Sequence, residues 1–409
     1  MIETREQLIH VLTEAAQIEH NLLCSYLYAA FSMKRAGEAG LTKLQGAAVE
    51  RWRKVILGVA LEEMAHLATV NNLLLAVGGA PHLDRPNLPL APGYHPAGIV
   101  VRLTPFSRAT LDHFIFLERA GHHRLADAPG FEPVEAPRTP SGGRLTPSAE
   151  DYDTIGELYD SIAEGLERIA HRIGEAQLID PTGSGQLDAE IAALPNVGRL
   201  TSLASALEAI HWIKEEGEGS SGQTADLESH FDRFCALREE WLSLSAADPD
   251  FEPAWPAAED PVMRKPAAGL ARVWVTAEPA AGLLDLGNAL YGFMLQVLSQ
   301  TFACEDRADQ ARLMKACVEL MEACGAAGSA LARLPASPDH PGVTAGLTFA
   351  SPRNLGFRPV GVKRRQLFLE RVRELQAGAE AMVARLEGDV VEKLPRRLAN
   401  AAELLAGEG

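Results

Sequence analysis

"VILGVALEEMAHLATVNNLLLAVGG", residues 55–79, is composed for burial, yet two carboxylates and an imidazole stand near its centre. Ile56, Val59, Val70, Leu73 and Val77 recur in steps that mark one face of a helix, and Glu63 and His66 fall on that same face. An unpaired carboxylate taken out of water carries a heavy penalty or shifts its pKa until it is neutral. The compensation can come from a metal ion, a buried ion pair, or exposure of this part of the helix. Glu62 lies about 100° from Glu63 around the helix axis and faces outward or supports its neighbour from behind.

The helix before it repeats the theme. It begins after Thr4, with Gln7 three positions on as in a capping box. Its stripe runs Leu8, Leu12, Ala15, Glu19, Leu22, Tyr26, again with an acid on the apolar side. The turn "AGEAGLT" (36–42) separates the two helices, and Glu19 and Glu63 are centred on position 41, inside it. An antiparallel hairpin therefore brings the two acids to one height. Tyr26 and Tyr159 are positioned to line a cavity beside them or to fill core.

Residues 81–150 are rich in Pro and Gly and read as a long crossover. They hold one strand-like piece, "GIVVRLT" (98–104), and one short helix over 108–121, where Glu118 reads as a salt-bridge partner. A third helix is expected over about 152–178 and a fourth over about 199–216, with "DPTGSG" (180–185) between them. Glu157 pairs in height with Glu215, and Glu218 follows at i+3; Glu164 pairs with Glu208, and His211 follows at i+3. Both sets stay open on spacing alone. Glu157 and Glu164 point away from the stripe of Ile155, Ile162 and Leu166 on a helical wheel.

The expected architecture is all-α. A four-helix bundle with a long second-to-third crossover occupies 1–244, a linker or wrap 245–280, and a second helical bundle 281–409. Carboxylates with imidazole suit iron or manganese, and the lack of thiolate pairs argues against structural zinc. The five cysteines form no CxxC, and the start, "MIETREQLIH", has no signal-peptide core, so a cytoplasmic protein is expected. A net charge of −17 speaks against nucleic acid and anionic membrane surfaces as partners. No uninterrupted apolar run reaches the roughly 20 residues of a membrane span.

Four stretches, "IEHNLLCSYLYAAFSM" (18–33), "EEMAHLATVNNLLLAVGGAP" (62–81), "DTIGELYDSI" (153–162) and "IKEEGEGS" (213–220), resemble the ferritin-like domain family associated with iminophenyl-pyruvate dimer synthase. That enzyme type acts in violacein-like bisindole pathways. The likeness spans roughly residues 5–240, and "LPASPDHPGVTAGLTFASPRNLGF" (334–357) resembles the helical extension of some members. Where that family shows an "LPPYL"-like stretch, this chain has "LLCSYL" (22–27). The resemblance implies a di-metal site of Glu19, Glu63 and His66 with Glu157, Glu215 and Glu218, favoured over Glu208 and His211. His230 matches a recurrent family position as a ligand or its support. It further implies two iron ions, with manganese as the alternative. The implied activity is oxidoreductase chemistry on a small-molecule substrate, an amino-acid-derived imine or an aromatic metabolite. A homodimer is left open. The competing expectation is a metal-binding or structural protein that keeps the fold without turnover.

Overall fold

The computed structural model describes the chain apart from residues 39, 92–93, 96–98, 133–146, 148–151, 219–227, 268, 271, 354, 357–360, 387–388 and 408–409, so part of the crossover lies outside it. The regular elements among the described residues are all helices, with four isolated β-bridges and no strand. In chain order the helices are α1 (Arg5–Ser32), α2 (Lys43–Ala76), α3 (Arg108–Leu117), α4 (Ile155–Ile173), α5 (Glu175–Leu178), α6 (Ala189–Ala192) and α7 (Leu203–Glu218). They continue with α8 (His230–Ala247), α9 (Ala280–Phe302), α10 (Arg307–Leu331), α11 (Val362–Val383), α12 (Asp389–Glu392) and α13 (Leu394–Ala406).

Thr4 and Gln7 form the expected capping box on α1, and Thr42 with Gln45 repeats it on α2. The two helices lie along each other; α4 packs on α1, and α7 on α4 and α2, completing a four-helix bundle. The third helix is shorter than its periodicity suggests. Gly174, at φ 90°, ends α4 where an L side chain would be strained. The apolar piece around 99–104 is extended without joining a sheet. Asp260 satisfies it instead, its Oδ1 accepting from Leu103 N at 2.9 Å while its own N–H donates to Leu103 O. Helices α3 and α8 pack on each other beside the bundle.

Helices α9, α10, α11 and α13 form a second bundle, seated on the first through α10 and α1. The contact is close: a Cβ on Gly328 would stand 2.3 Å from a ring carbon of Phe31. Buried apolar side chains of both bundles make one continuous core. Around 253–262 the backbone pairs with Ser32, Lys34, Leu103 and Thr344, and so straps the bundles together. Helix α9, at 23 residues, is the one described helix long and apolar enough to cross a membrane. Most of its surface is buried here, as in a core helix.

Candidate metal centre

The inward acids of the hairpin meet as the spacing predicts. Glu19 from α1 and Glu63 and His66 from α2 are each at most 2 % exposed. His66 Nδ1 is 3.4 Å from Glu63 Oε2 and 3.7 Å from Glu19 Oε2. On the other side of Glu63 stands His230, from the first turn of α8, fully buried. Its Nδ1 is 3.0 Å from Glu63 Oε1 and 3.6 Å from Glu118 Oε2. Ligand-type atoms therefore converge in three triads, each within 4.8 Å: Glu62–Glu216–His230, partly exposed, and the fully buried Glu19–Glu63–His66 and Glu63–Glu118–His230. Glu63 belongs to both buried ones.

Each buried triad is held from behind in the same manner. Tyr159 of α4 donates its hydroxyl to Glu19 Oε1, and Tyr26 of α1 donates to Glu118 Oε1. The far imidazole nitrogens also meet acids. His66 Nε2 is 3.1 Å from Glu216 Oε2, and His230 Nε2 is 2.9 Å from Glu62 Oε2. Glu62 is in turn gripped by Arg233, whose Nη1 lies 3.2 Å from its Oε1. An outer acid that fixes an imidazole and raises its basicity is the usual support for a metal-binding histidine.

Burial and the charge on Glu63 push the Glu19 carboxyl up to about 8. Burial alone would lower both imidazoles. For His66 the Glu63 charge and the facing carboxylates override it; for His230 Glu118 and its neighbours do so, and both rise well above their ordinary value. Burial would raise Glu63, but the His66 charge and the His230 imidazole hold it well below the carboxylate range. Glu62 is held at about 2 against burial by hydrogen bonds to His230 and Arg233.

The donor set fits a hard or borderline cation. Glu63 Oε2 and His230 Nδ1 are buried, yet neither has an aligned hydrogen-bond partner. Buried polar atoms are ordinarily satisfied, so carboxylate and imidazole atoms that converge without an aligned hydrogen bond fit a cation. A cavity of about 20 Å³, room for one water-sized occupant, is lined by Glu19, Glu63, His66 and Glu118.

Other expected residues lie elsewhere. Glu157 is exposed in the first turn of α4, its Oε2 accepting from Asp153 N at 2.7 Å. Glu215 turns outward and meets His211 at 3.2 Å, while Glu208 is exposed, so neither open set reaches the cluster. The buried face of α7 is Ala206, Ile210, Ile213 and Gly217; Glu216 flanks it and Glu215 does not. Glu218 lines the cavity but bonds to Gly156 N at 2.9 Å, not to the histidines. Glu118, read as a salt-bridge partner, does face His230 Nδ1 at 3.6 Å, and it is also a member of the cluster. Its signal was present, since Leu111, Phe114 and Glu118 follow the same stripe spacing that singles out Glu19 and Glu63.

The chain matches the ferritin-like family over residues 12–239. It is 29 % identical to dichlorochromopyrrolate synthase of Lentzea aerocolonigenes, covering 100 % of this chain and 42 % of that protein. It is also 29 % identical to 2-imino-3-(indol-3-yl)propanoate dimerase of Chromobacterium violaceum, covering 78 % of this chain and 31 % of the relative. The chain thus spans less than half the length of the curated relatives it matches. A ferritin-like protein from Caulobacter vibrioides superposes with a TM-score of 0.51 at 18 % identity, over 86 % of this chain and 99 % of its own, a likeness of fold. With the bundle, its crossover and the matched span in agreement, the chain belongs to the ferritin-like family.

Proposed function

We propose that Glu19, Glu63, His66, Glu118 and His230 hold two metal ions, iron or alternatively manganese, and that the protein oxidatively couples an amino-acid-derived 2-imino acid. The observation that carries this reading is the double membership of Glu63, whose two oxygens face two different imidazoles. One carboxylate shared by two triads supports a pair of ions. Glu62 and Glu216 fix the imidazoles, and Tyr26 and Tyr159 leave Glu118 and Glu19 one oxygen each for a cation. Ions bound there would supply Lewis acidity and one-electron exchange, with dioxygen or peroxide as the oxidant that takes up the two electrons and two protons lost when two imino acids couple. The names of the two curated relatives support an imine or its dimer as substrate class.

A second reading, a non-catalytic protein on the same fold, draws on the fact that the imidazoles and carboxylates balance one another electrically. The experiment is anaerobic loading with ferrous iron, elemental analysis, and exposure to an aryl 2-imino acid generated in place by an amino-acid oxidase. About two ions per chain with dimeric product supports the enzyme. Bound metal without product keeps the centre and removes its chemistry, and protein that takes up no metal contradicts both and supports the second reading.

A further inference from the structure

Both imidazoles of the centre have two sides. Their Nδ1 atoms turn towards Glu63 in the interior, and their Nε2 atoms turn the other way. His230 Nε2 is 2.9 Å from Glu62 Oε2 and His66 Nε2 is 3.1 Å from Glu216 Oε2, with the ring centroids 5.6 Å apart. Glu62, Glu216 and His230, from α2, α7 and α8, bring three ligand-type atoms within 4.8 Å of one another outside the buried triads. His66 adjoins them through Glu216.

This outer set differs from the inner ones in exposure and charge. The side chains of Glu19, Glu63 and His66 are at most 3 % exposed, whereas Glu62 and Glu216 keep 22 % and 12 %. Ions bound for the buried triads have to come from solvent, and these two acids touch both solvent and an inner imidazole. Arg233 pairs with Glu62, but no lysine or arginine lies within ion-pair distance of Glu216 among the described residues. Two carboxylates against one guanidinium leave the outer set negative, which draws cations towards it. His230 links the two sides. It is fully buried and its Nδ1 has no aligned partner, and a neutral imidazole carries its one lone pair on either nitrogen.

We propose that Glu62, Glu216 and His230 Nε2 form an entry site at which divalent cations dock on their way to the buried triads. His230 first offers Nε2 to the incoming ion. With the ring proton moved from Nδ1 to Nε2, it then offers Nδ1 beside Glu63 and Glu118. Glu62 and Glu216 thereafter hold the imidazole N–H groups. The inference rests on the proposed metal centre and gives these acids a part in its loading besides its support.

The test is stopped-flow uptake of ferrous iron and of manganous ion under anaerobic conditions, with release followed by a chromophoric chelator. The proteins are wild type, Glu62→Gln, Glu216→Gln, their double variant, and Glu218→Gln as the control for approach through the cavity. Glutamine keeps an acceptor for the imidazole N–H and removes only the charge. The double variant should still hold two ions at saturation, with its association rate lowered by about tenfold or more. Support of the imidazoles alone would leave association unchanged and place any loss of affinity in dissociation. Unchanged association in the double variant, or equal slowing by Glu218→Gln, would overturn the entry site. Brief soaking of metal-free crystals in manganese should give the first anomalous peak among Glu62, Glu216 and His230; peaks at the buried triads with none there at any soaking time would also overturn it. Wild type that takes up no metal removes the centre and this site together. Wild type that loads two ions, with association unchanged in the double variant, removes the entry site alone.

Discussion

Glu63 separates His66 from His230, with Oε2 3.4 Å from one Nδ1 and Oε1 3.0 Å from the other. The position of a single carboxylate thus divides the buried cluster into two triads, and the two should respond unequally to mutation. Glu63→Ala is expected to abolish binding of both ions. His230→Ala or Glu118→Ala should remove one and leave the Glu19–Glu63–His66 half occupied. Metal per chain by elemental analysis, near zero for the first variant and near one for the others, checks this.

Tyr159 and Tyr26 are expected to matter through the carboxylates they hold. Tyr159→Phe and Tyr26→Phe each remove one hydroxyl that donates to a buried acid, at about 1–3 kcal/mol of stability. Outer partners of this kind typically change metal affinity by about 10- to 100-fold. The phenylalanine variants should remain folded, keep two ions at saturation, and require correspondingly more free metal in a titration.

Metal uptake should release protons. In the metal-free protein Glu19 is raised to about 8 and His66 and His230 lie above their ordinary values, so the folded state holds protons that the unfolded chain gives up. Such groups stabilise the fold at low pH, and their contribution is lost as pH rises through the folded values. The metal-free melting temperature should therefore fall from about pH 6 towards pH 9, a window bounded by the ordinary imidazole value and the raised carboxyl. The gain on adding metal should grow over the same window, because the ligands must be deprotonated to bind. Melting curves at fixed free metal across that range would show it; a metal-induced gain that is flat or shrinks with pH would contradict the assigned protonation.

Much of this was legible in the sequence, and what was not has a common cause. Glu19, Glu63 and His66 stand on long, regular stripes, so periodicity and the central turn placed them together. His230 was reached only by resemblance, for it lies at the start of α8, outside the two hairpins whose spacing could be counted. Glu157 and Glu215 were matched by distance from a turn, a rule that assumes both helices supply ligands. Helix α4 supplies Tyr159 instead, and the acid on that side of the centre is Glu118, from the short crossover helix. Glu216 and Gly217 could have been preferred over Glu215, since the stripe from Ala206 through Ile210 and Ile213 runs past them.

The two bundles should melt as one unit. Phe31, in the last turn of α1, fills the space above Gly328 of α10, so Gly328→Val must displace an aromatic ring. Overpacking of this kind costs roughly 1–3 kcal/mol. The expected result is a lower melting temperature with a single transition seen by both near- and far-ultraviolet circular dichroism. Two separated transitions would mean that the C-terminal bundle folds independently of α1.

The most direct measurement is an anomalous-difference map from crystals grown anaerobically with excess ferrous iron or manganese. Two peaks are predicted, one on each side of the Glu63 carboxylate, the first within reach of Glu19 and His66 and the second of Glu118 and His230. A map without peaks, in which Glu63 remains paired with both imidazoles alone, would contradict the account.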